Sequence, residues 1–132
     1  MIWLLDVNTL IAALVAAHEH HERVRAWLST LPPDDSLATC SITELGFVRV
    51  LHQAPHLRVP VRDSLRLLER FRSNRSRTVV QLTDDRSAVE LPRWVKSARH
   101  VTDGHLAGLA ARHGGRLATL DTGIPKAAII PE

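Results

Sequence analysis

The sequence predicts an α/β fold in which a parallel sheet is covered by helices on both faces. Short apolar or β-branched runs alternate along the chain with longer segments whose apolar residues recur at helical spacing. Strands separated by helices pair in parallel, and parallel sheets are buried on both faces. Because 132 residues suit one domain with one core, we expect a single domain over residues 1–132.

The first half of the chain contains two predicted strands and three predicted helices. Ile2 to Leu5 is an apolar run that ends at an acid, which is typical of a buried strand. Asn8 or Thr9 can cap the helix that follows. The second helix carries four apolar residues at helical spacing, and residues 32–35, with two prolines, form a turn. These elements cover residues 2–5, 8–17, 19–31, 36–39 and 41–52.

The second half contains three predicted strands and three predicted helices. Residues 61–74 show an amphipathic helical pattern, and residues 78–82 are a β-branched strand candidate. Residues 84–98 are predicted to be mostly helical, although Pro92 should end or kink that helix. The next helix begins at Thr102 and is closed by two glycines. These elements cover residues 61–74, 78–82, 84–98, 102–112, 116–120 and 127–130.

Composition narrows the class of protein only moderately. The 17 basic and 14 acidic side chains give a formal net charge of +3. A basic surface suits a polyanionic substrate, although many small basic proteins bind no nucleic acid. The single cysteine, Cys40, excludes an internal disulfide and fits a cytoplasmic location. No apolar run approaches the ~18 residues of a membrane span, so we expect no membrane association.

Four acids occupy equivalent places relative to the predicted strands. Asp6 and Asp121 directly follow strands, whereas Glu44 and Asp103 lie in the first turns of helices next to strands. In a parallel sheet all four places lie at the same edge. Four carboxylates in one pocket repel one another, and a hard cation such as Mg²⁺ relieves that repulsion. Such an ion can activate water and bind a phosphate oxygen, which is the chemistry of phosphodiester hydrolysis.

Each acid also has a purely structural interpretation. The run from Ser41 to Glu44 matches a capping box, in which the glutamate reaches back to the backbone. Asp103 at a helix start is favoured by the helix dipole, and Asp121 before Thr122-Gly123 can be a turn residue. Asp6 is harder to explain in this way, because an acid after a buried strand is unfavourable without a partner or a task. The joint placement of the four acids is therefore the argument for a site.

Four segments of the sequence resemble the PIN-domain nucleases, in particular the VapC-type toxins of bacterial toxin–antitoxin pairs. LLDVNTLIA is similar to the first strand, first acid and first helix of that family, and HEHHERVRAWL to its second helix. SITELGFVRVL is similar to the segment with the second acid. VTDGHLAGLAARHGGRLATLDTGI is similar to the segment with the third and fourth acids, including a Thr-x-Asp pattern. The resemblance covers almost the whole chain.

The resemblance implies a PIN-like three-layer α/β/α sandwich with a central parallel sheet of about five strands. It also implies an endoribonuclease that uses Mg²⁺, or Mn²⁺, and that a cognate antitoxin protein inhibits. On this basis Asp6, Asp103 and Asp121 are the main metal ligands, and Glu44 binds the metal through water or orients the attacking water. The resemblance further places Asn8 and Thr119 in support of these acids.

Two other functions fit parts of the sequence. One is a phosphatase-like phosphotransferase with Asp6 as covalent nucleophile, although Asn8 replaces the second acid usual in such enzymes. The other is a non-catalytic module of the same fold that binds RNA or protein. The presence of all four acids argues against this second alternative.

Basic and histidine-rich segments are further candidates for contact with RNA. Arg62 and Arg66 belong to a stripe spaced four residues apart, which is either a solvated helix face or a phosphate-contacting surface. Arg49 lies near the predicted pocket and binds phosphate or pairs with a carboxylate. The cluster from His18 to His21 lacks zinc-site spacing and is more typical of a solvated helix start, with the rim of an RNA groove as the alternative. Gly46 and Gly108 within helices allow close packing, and we expect a homodimer or a heteromer with an antitoxin.

Overall fold

A five-stranded parallel sheet forms the centre of the structure, a computed structural model that describes all 132 residues. The strands lie in the order β3-β2-β1-β4-β5, and every neighbouring pair is parallel, which confirms the predicted fold class. In chain order the elements are β1 (Ile2–Leu5), α1 (Val7–Leu14), α2 (His21–Thr30), β2 (Ser36–Thr39), α3 (Ser41–Gln53), α4 (Val61–Arg72), β3 (Val79–Gln81), α5 (Val101–Arg112), β4 (Arg116–Thr119) and β5 (Ala128–Ile129).

The central position of β1 determines where the first acid lies. Leu4 of β1 is paired with Ala38 of β2 on one side and with Leu117 of β4 on the other. Asp6 therefore leaves the sheet at the same edge as the residues that follow β2 and β4. Its backbone N–H still donates to the carbonyl of Ala118 at 3.3 Å, which holds Asp6 beside the end of β4.

Helices cover the sheet on both faces. Adjacent residues of a strand point to opposite faces, and Leu4 and Leu5 are fully buried in two different core clusters. Leu5 packs in the cluster that contains Phe47 and other buried residues of α1, α3 and α4. Leu4 packs in the cluster that contains Leu106 of α5. The predicted three-layer arrangement is thus confirmed.

The predicted helix over residues 84–98 is wrong. The chain forms only two short 3₁₀ turns there, Ala88–Glu90 and Ala98–His100. Leu91 adopts φ −55° and ψ 141°, because the residue before a proline is disfavoured in the α region. Pro92 also lacks the backbone N–H that a continuing helix would use. In this irregular loop Trp94 packs against the core, whereas Val89 is 91% exposed.

The first helix also differs from its prediction at both ends. It begins at Val7 with Asp6 as the N-cap, and it ends at Leu14 because Val15 is extended, with φ −116° and ψ 109°. All other predicted elements agree with the observed ones to within two residues at either end. No helix is long and apolar enough to cross a membrane, since the longest, α3, has 13 residues.

Gly115, directly before β4, lies so close to the backbone of β1 that we expect a larger residue there to destabilise the protein. A Cβ atom there would lie 2.4 Å from the backbone oxygen of Ile2, and backbone cannot move aside as a side chain can. We expect Gly115→Ala to destabilise the protein by about 1–3 kcal/mol, measured by urea denaturation. Gly108→Ala is the matched control, since its Cβ would meet only side-chain atoms, those of the Arg86 guanidinium at 3.3 Å. Equal stability of the two variants would contradict this explanation.

Candidate active site

A pocket of about 510 Å³ opens at the carboxyl edge of the sheet, and three of the four predicted acids line it. Asp6 comes from the end of β1, Asp103 from the first turn of α5, and Asp121 from the segment after β4. Residues separated by more than a hundred positions are thereby brought together, as the topology predicts. The remainder of the lining is mixed: polar Asn8, His20 and Thr102, and apolar Val7, Ile11, Val50, Leu106 and Leu120.

Asp6 is held rigidly at the bottom of this pocket. Asp6 is only 7% exposed to solvent. Oδ1 accepts a hydrogen bond from the backbone N–H of Thr9 at 2.8 Å, so this carboxylate caps α1. Oδ2 accepts from the hydroxyl of Thr119 at 2.5 Å. The prediction that Asn8 or Thr9 caps this helix is therefore wrong, since the acid itself performs that task.

Thr119 connects two of the acids. Besides donating to Asp6, its Oγ1 accepts from the backbone N–H of Asp121 at 3.0 Å. Oδ1 of Asp121 accepts from the backbone N–H of Gly123 at 2.8 Å, so the turn interpretation of this acid also holds. Only one carboxylate oxygen takes part in the turn, and the other remains for the pocket.

The pKa of Asp103 reflects the burial and the negative charge of the pocket. Its side chain is half-buried, and the loss of solvation raises the pKa of this carboxyl above its ordinary value. The negative charges of Asp6 and then Asp121 raise its pKa further, whereas His100 acts in the opposite direction. Such mutual repulsion means that the pocket favours uptake of positive charge, either a proton or a cation.

Glu44 lies outside the pocket lining, beside the end of β2. The predicted capping box with Ser41 is wrong, because the helix N-cap is Cys40, whose backbone N–H donates to Oγ1 of Thr43 at 2.9 Å. The carboxylate of Glu44 instead accepts from the hydroxyl of Thr39 at 2.5 Å. An Arg72 guanidinium nitrogen lies 4.0 Å from its other oxygen, and the glutamate side chain is 17% exposed.

The predicted RNA-contacting arginines lie away from the pocket. Arg49 is exposed on α3 and does not line it, although its neighbour Val50 does. Arg62 and Arg66 are exposed on α4, and Arg66 lies 3.8 Å from Asp63. Their contact with a substrate therefore remains a prediction.

Four further residues lie next to the acids or in the pocket lining, and the sequence had already pointed to two of them, Asn8 and His20. Arg72 pairs with Glu44 across α3 and α4, and no local pattern reports such a long-range pair. His100 influences Asp103, and its buried Nε2 has no hydrogen-bond partner. His20, from the predicted histidine cluster, lines the pocket. Asn8 also lines it, but its amide oxygen contacts His18, and no hydrogen bond joins it to Asp6.

The donor set of the pocket fits a hard divalent cation. Three carboxylates face one space, and carboxylate oxygens are the ligands that Mg²⁺ prefers, in small number and together with water. As placed, no three histidine, cysteine, aspartate or glutamate side chains lie close enough together to hold a metal ion, so the case for a cation rests on the chemistry of the donors. The raised pKa of Asp103 indicates the excess negative charge that a cation would neutralise.

Comparison with known proteins identifies the family. The family model described as "PIN domain" matches residues 3–130. Ribonuclease VapC38 of Mycobacterium tuberculosis is 41% identical over 125 residues, which cover 92% of this chain and 86% of that protein.

Two solved structures share the fold. VapC20 of Mycobacterium tuberculosis, described as a Sarcin-Ricin loop cleaving toxin, superposes with a TM-score of 0.68 at 15% identity and covers 98% of this chain and 99% of its own. A toxin–antitoxin complex from Klebsiella pneumoniae gives 0.58 at 20% identity, with 98% of both chains covered. Since the family model spans nearly the entire sequence and a relative above 40% identity matches most of it, the chain belongs to the PIN domain family.

Proposed function

We propose that this protein is a metal-dependent endoribonuclease that acts as the toxin of a type II toxin–antitoxin pair. The observation that supports the activity most directly is the convergence of Asp6, Asp103 and Asp121 on one pocket at the carboxyl edge of the sheet. The relationship to ribonuclease VapC38 supports RNA as the substrate. The likeness to a chain of a toxin–antitoxin complex supports an antitoxin as the protein partner.

The three pocket carboxylates would hold one or two Mg²⁺ ions, with Mn²⁺ as an alternative. When bound, the metal supplies an activated water and neutralises charge on the phosphate. Asp6 is kept in one orientation by Thr9 and Thr119, so its oxygens are prearranged for a ligand. Glu44 would orient the attacking water or bind the metal through water from its place beside the pocket. The 3′ oxygen of the cleaved bond is then the leaving group.

Three exposed arginines are proposed to position the RNA. Arg49, Arg62 and Arg66 lie outside the pocket, so they would contact phosphates distant from the cleaved bond. Such contacts raise affinity without reading sequence, and they weaken as salt rises.

The environment of Asp6 supports a ligand role over a nucleophilic one. Both of its oxygens accept hydrogen bonds, from Thr9 and Thr119, which stabilise the negative charge and reduce nucleophilicity. A phosphotransferase that forms a covalent aspartyl intermediate is therefore less well supported.

The ends of the RNA products test the proposed reaction. Purified protein and single-stranded RNA should give products with 5′-phosphate and 3′-hydroxyl ends in Mg²⁺, none in excess chelator, and full activity again after Mg²⁺ is restored. Attack by the RNA's own 2′-hydroxyl would instead leave a cyclic phosphate and require no metal. Chelator-resistant cleavage with cyclic ends would overturn the mechanism, and mapping of RNA ends after induced expression would identify the substrate.

The hydroxyl of Thr119 is expected to matter for activity because it holds Asp6 and Asp121 together. Thr119→Val removes that hydroxyl at nearly constant volume, and we expect RNA cleavage to fall roughly 10- to 100-fold. Thr9→Val is the matched control: Thr9 is equally buried, its Oγ1 has no partner, and its backbone N–H still binds Asp6. Similar initial rates for the two variants would contradict the proposed support.

We also propose a cytoplasmic location and assembly as a homodimer or as a heteromer with the antitoxin. The close packing predicted for Gly46 occurs within the chain, since a Cβ there would lie 2.6 Å from Val7 of α1, so this glycine does not support a dimer. Exposed apolar side chains on α3 and α4, Leu45 at 68% and Leu65 at 53%, are better candidates for an interface. Light scattering on the purified chain, alone and with its antitoxin, measures the assembly state.

A further inference from the structure

The segment between α1 and α2 brings a histidine against the rim of the pocket. The backbone N–H of His18 donates to Val15 at 3.0 Å, and that of His21 donates to the carbonyl of His18 at 3.1 Å. Nδ1 of His21 lies 2.7 Å from the carbonyl oxygen of Ala12 in α1. These contacts fix the backbone that carries His18, so the position of its ring is determined by the fold.

The hydrogen bonds of His18 determine where its proton lies. Its Nδ1 accepts from the backbone N–H of His20 at 3.0 Å, and a backbone N–H can only donate. The neutral ring must therefore carry its proton on Nε2. Nε2 lies 2.9 Å from the amide oxygen of Asn8, which accepts a hydrogen bond from Nε2–H. Three groups thus form a chain of hydrogen bonds with a single direction, from His20 through His18 to Asn8.

This chain determines the orientation of the Asn8 amide. Because its oxygen is bound to His18, its nitrogen points the other way, and no protein group accepts a hydrogen bond from it. Asn8 lines the same pocket as the three carboxylates. Carboxylates can only accept hydrogen bonds when ionised, so they offer nothing to the oxygens of an incoming phosphodiester. The amide of Asn8 offers two donors beside these carboxylates, and His20 and Thr102 are the other uncharged polar side chains of the lining.

We infer that His18 is a positioning residue that presents the Asn8 amide to a phosphodiester oxygen of the bound RNA. The inference rests on the proposed function, because it assumes that RNA enters this pocket. It gives the histidine segment a role that zinc-site spacing did not provide: His18 acts through Asn8 and does not touch the substrate itself.

The surroundings of His18 keep its ring in the neutral form. Burial first, and then the neighbouring His20, lower the pKa of His18 below its ordinary value. His56 and His21 act in the same direction, and Glu19 is the one facing charge that opposes them. A ring that stays neutral at physiological pH keeps Nδ1 free to accept from His20, so the hydrogen-bond chain remains intact.

Nuclear magnetic resonance tests the chain of hydrogen bonds without RNA. Long-range correlations of the ring nitrogens of His18 should report the Nε2-protonated tautomer at neutral pH. The side-chain amide resonance of Asn8 should change in His18→Ala and recover in His18→Gln, whose amide can donate in place of Nε2–H. The positioning role is overturned if the His18 ring is protonated on Nδ1, or if the Asn8 resonance is unchanged in both variants. This conclusion does not depend on whether the protein cleaves RNA.

Binding of single-stranded RNA in excess chelator tests the substrate contact. His18→Ala and Asn8→Ala should each weaken binding roughly 2- to 12-fold, the range for one hydrogen bond. The double variant should be no weaker than either single variant, because both remove the same contact. In turnover assays KM should rise with little change in kcat. His56→Ala, which removes an exposed histidine whose charge also acts on His18, is the matched control and should bind as wild type.

The outcomes separate this inference from the proposed function. If the losses of RNA affinity in His18→Ala and Asn8→Ala multiply in the double variant, the inference is overturned, but the proposed RNA cleavage is unaffected. If wild-type protein neither binds nor cleaves RNA, the proposed function fails, and the substrate contact fails with it. The tautomer of His18 would then still show whether the structural half of the inference is correct.

Discussion

Replacing Asp6 with asparagine is expected to reduce RNA cleavage by more than about 100-fold and to leave the fold intact. Loss of a residue that only supports a metal ligand already reduces activity 10- to 100-fold, and Asp6 is proposed as a ligand itself. Asparagine keeps an oxygen that can accept from Thr9, and it is as good an N-cap as aspartate. Initial rates in Mg²⁺ and a thermal melt measure the two effects separately.

Two further variants sharpen this experiment. Asp6→Ala should lose the cap as well as the charge. Its free energy of unfolding should be about 1 kcal/mol lower than that of wild type. Asp84→Asn is the matched control, because this carboxylate lies 2.6 Å from His105 and outside the pocket. It should cleave RNA at close to the wild-type rate. Full activity of Asp6→Asn, or equal loss in Asp84→Asn, would rule out the proposed metal site.

Replacing Asp103 with asparagine should make the metal-free protein more stable and should weaken its stabilisation by Mg²⁺. The folded state raises the pKa of this carboxyl, so it binds the proton more tightly than the unfolded chain does. Stability is therefore lost as pH rises from the ordinary value near 3.8 through the raised one, where the carboxylate becomes charged beside Asp6 and Asp121. Asparagine carries no charge at any of these pH values and avoids that loss.

Thermal melts with and without Mg²⁺ check this expectation. In chelator at neutral pH, Asp103→Asn should melt above wild type, and the two curves should converge at acid pH. Mg²⁺ at a hundred times its Kd should stabilise wild type by about 2.7 kcal/mol and the variant by much less. A variant that melts below wild type in chelator would contradict the repulsion described for this pocket.

The sequence predicted the pocket acids because their places depend on topology alone. Asp6 and Asp121 follow parallel strands, and Asp103 begins the helix before β4, so right-handed connections bring them to one edge. Thr119 was predicted from a family pattern, and the structure shows its two hydrogen bonds. The placement of the three acids requires only the order of the elements and no knowledge of side-chain packing.

The features that the sequence missed depend on contacts between distant side chains. Ser41 to Glu44 has the letters of a capping box, but Thr39 supplies a stronger partner for the glutamate, and Arg72 approaches from another helix. Local patterns describe one element at a time, so they cannot report competition of this kind. The helix predicted over residues 84–98 does not form, because Pro92 interrupts it, although Trp94 still packs against the core.

Because the middle strand of the sheet is β1 and its neighbour β4 is the fourth strand in chain order, the chain must be synthesised beyond β4 before the pocket can exist. Nascent chains fold from their amino-terminal end as they leave the ribosome, and here that portion brings Asp6 without Asp103 or Asp121. A polypeptide that stops before β4 would hold neither a complete edge nor its charge cluster. The proposed cleavage of RNA would therefore begin only after β4 has been synthesised and has paired with β1.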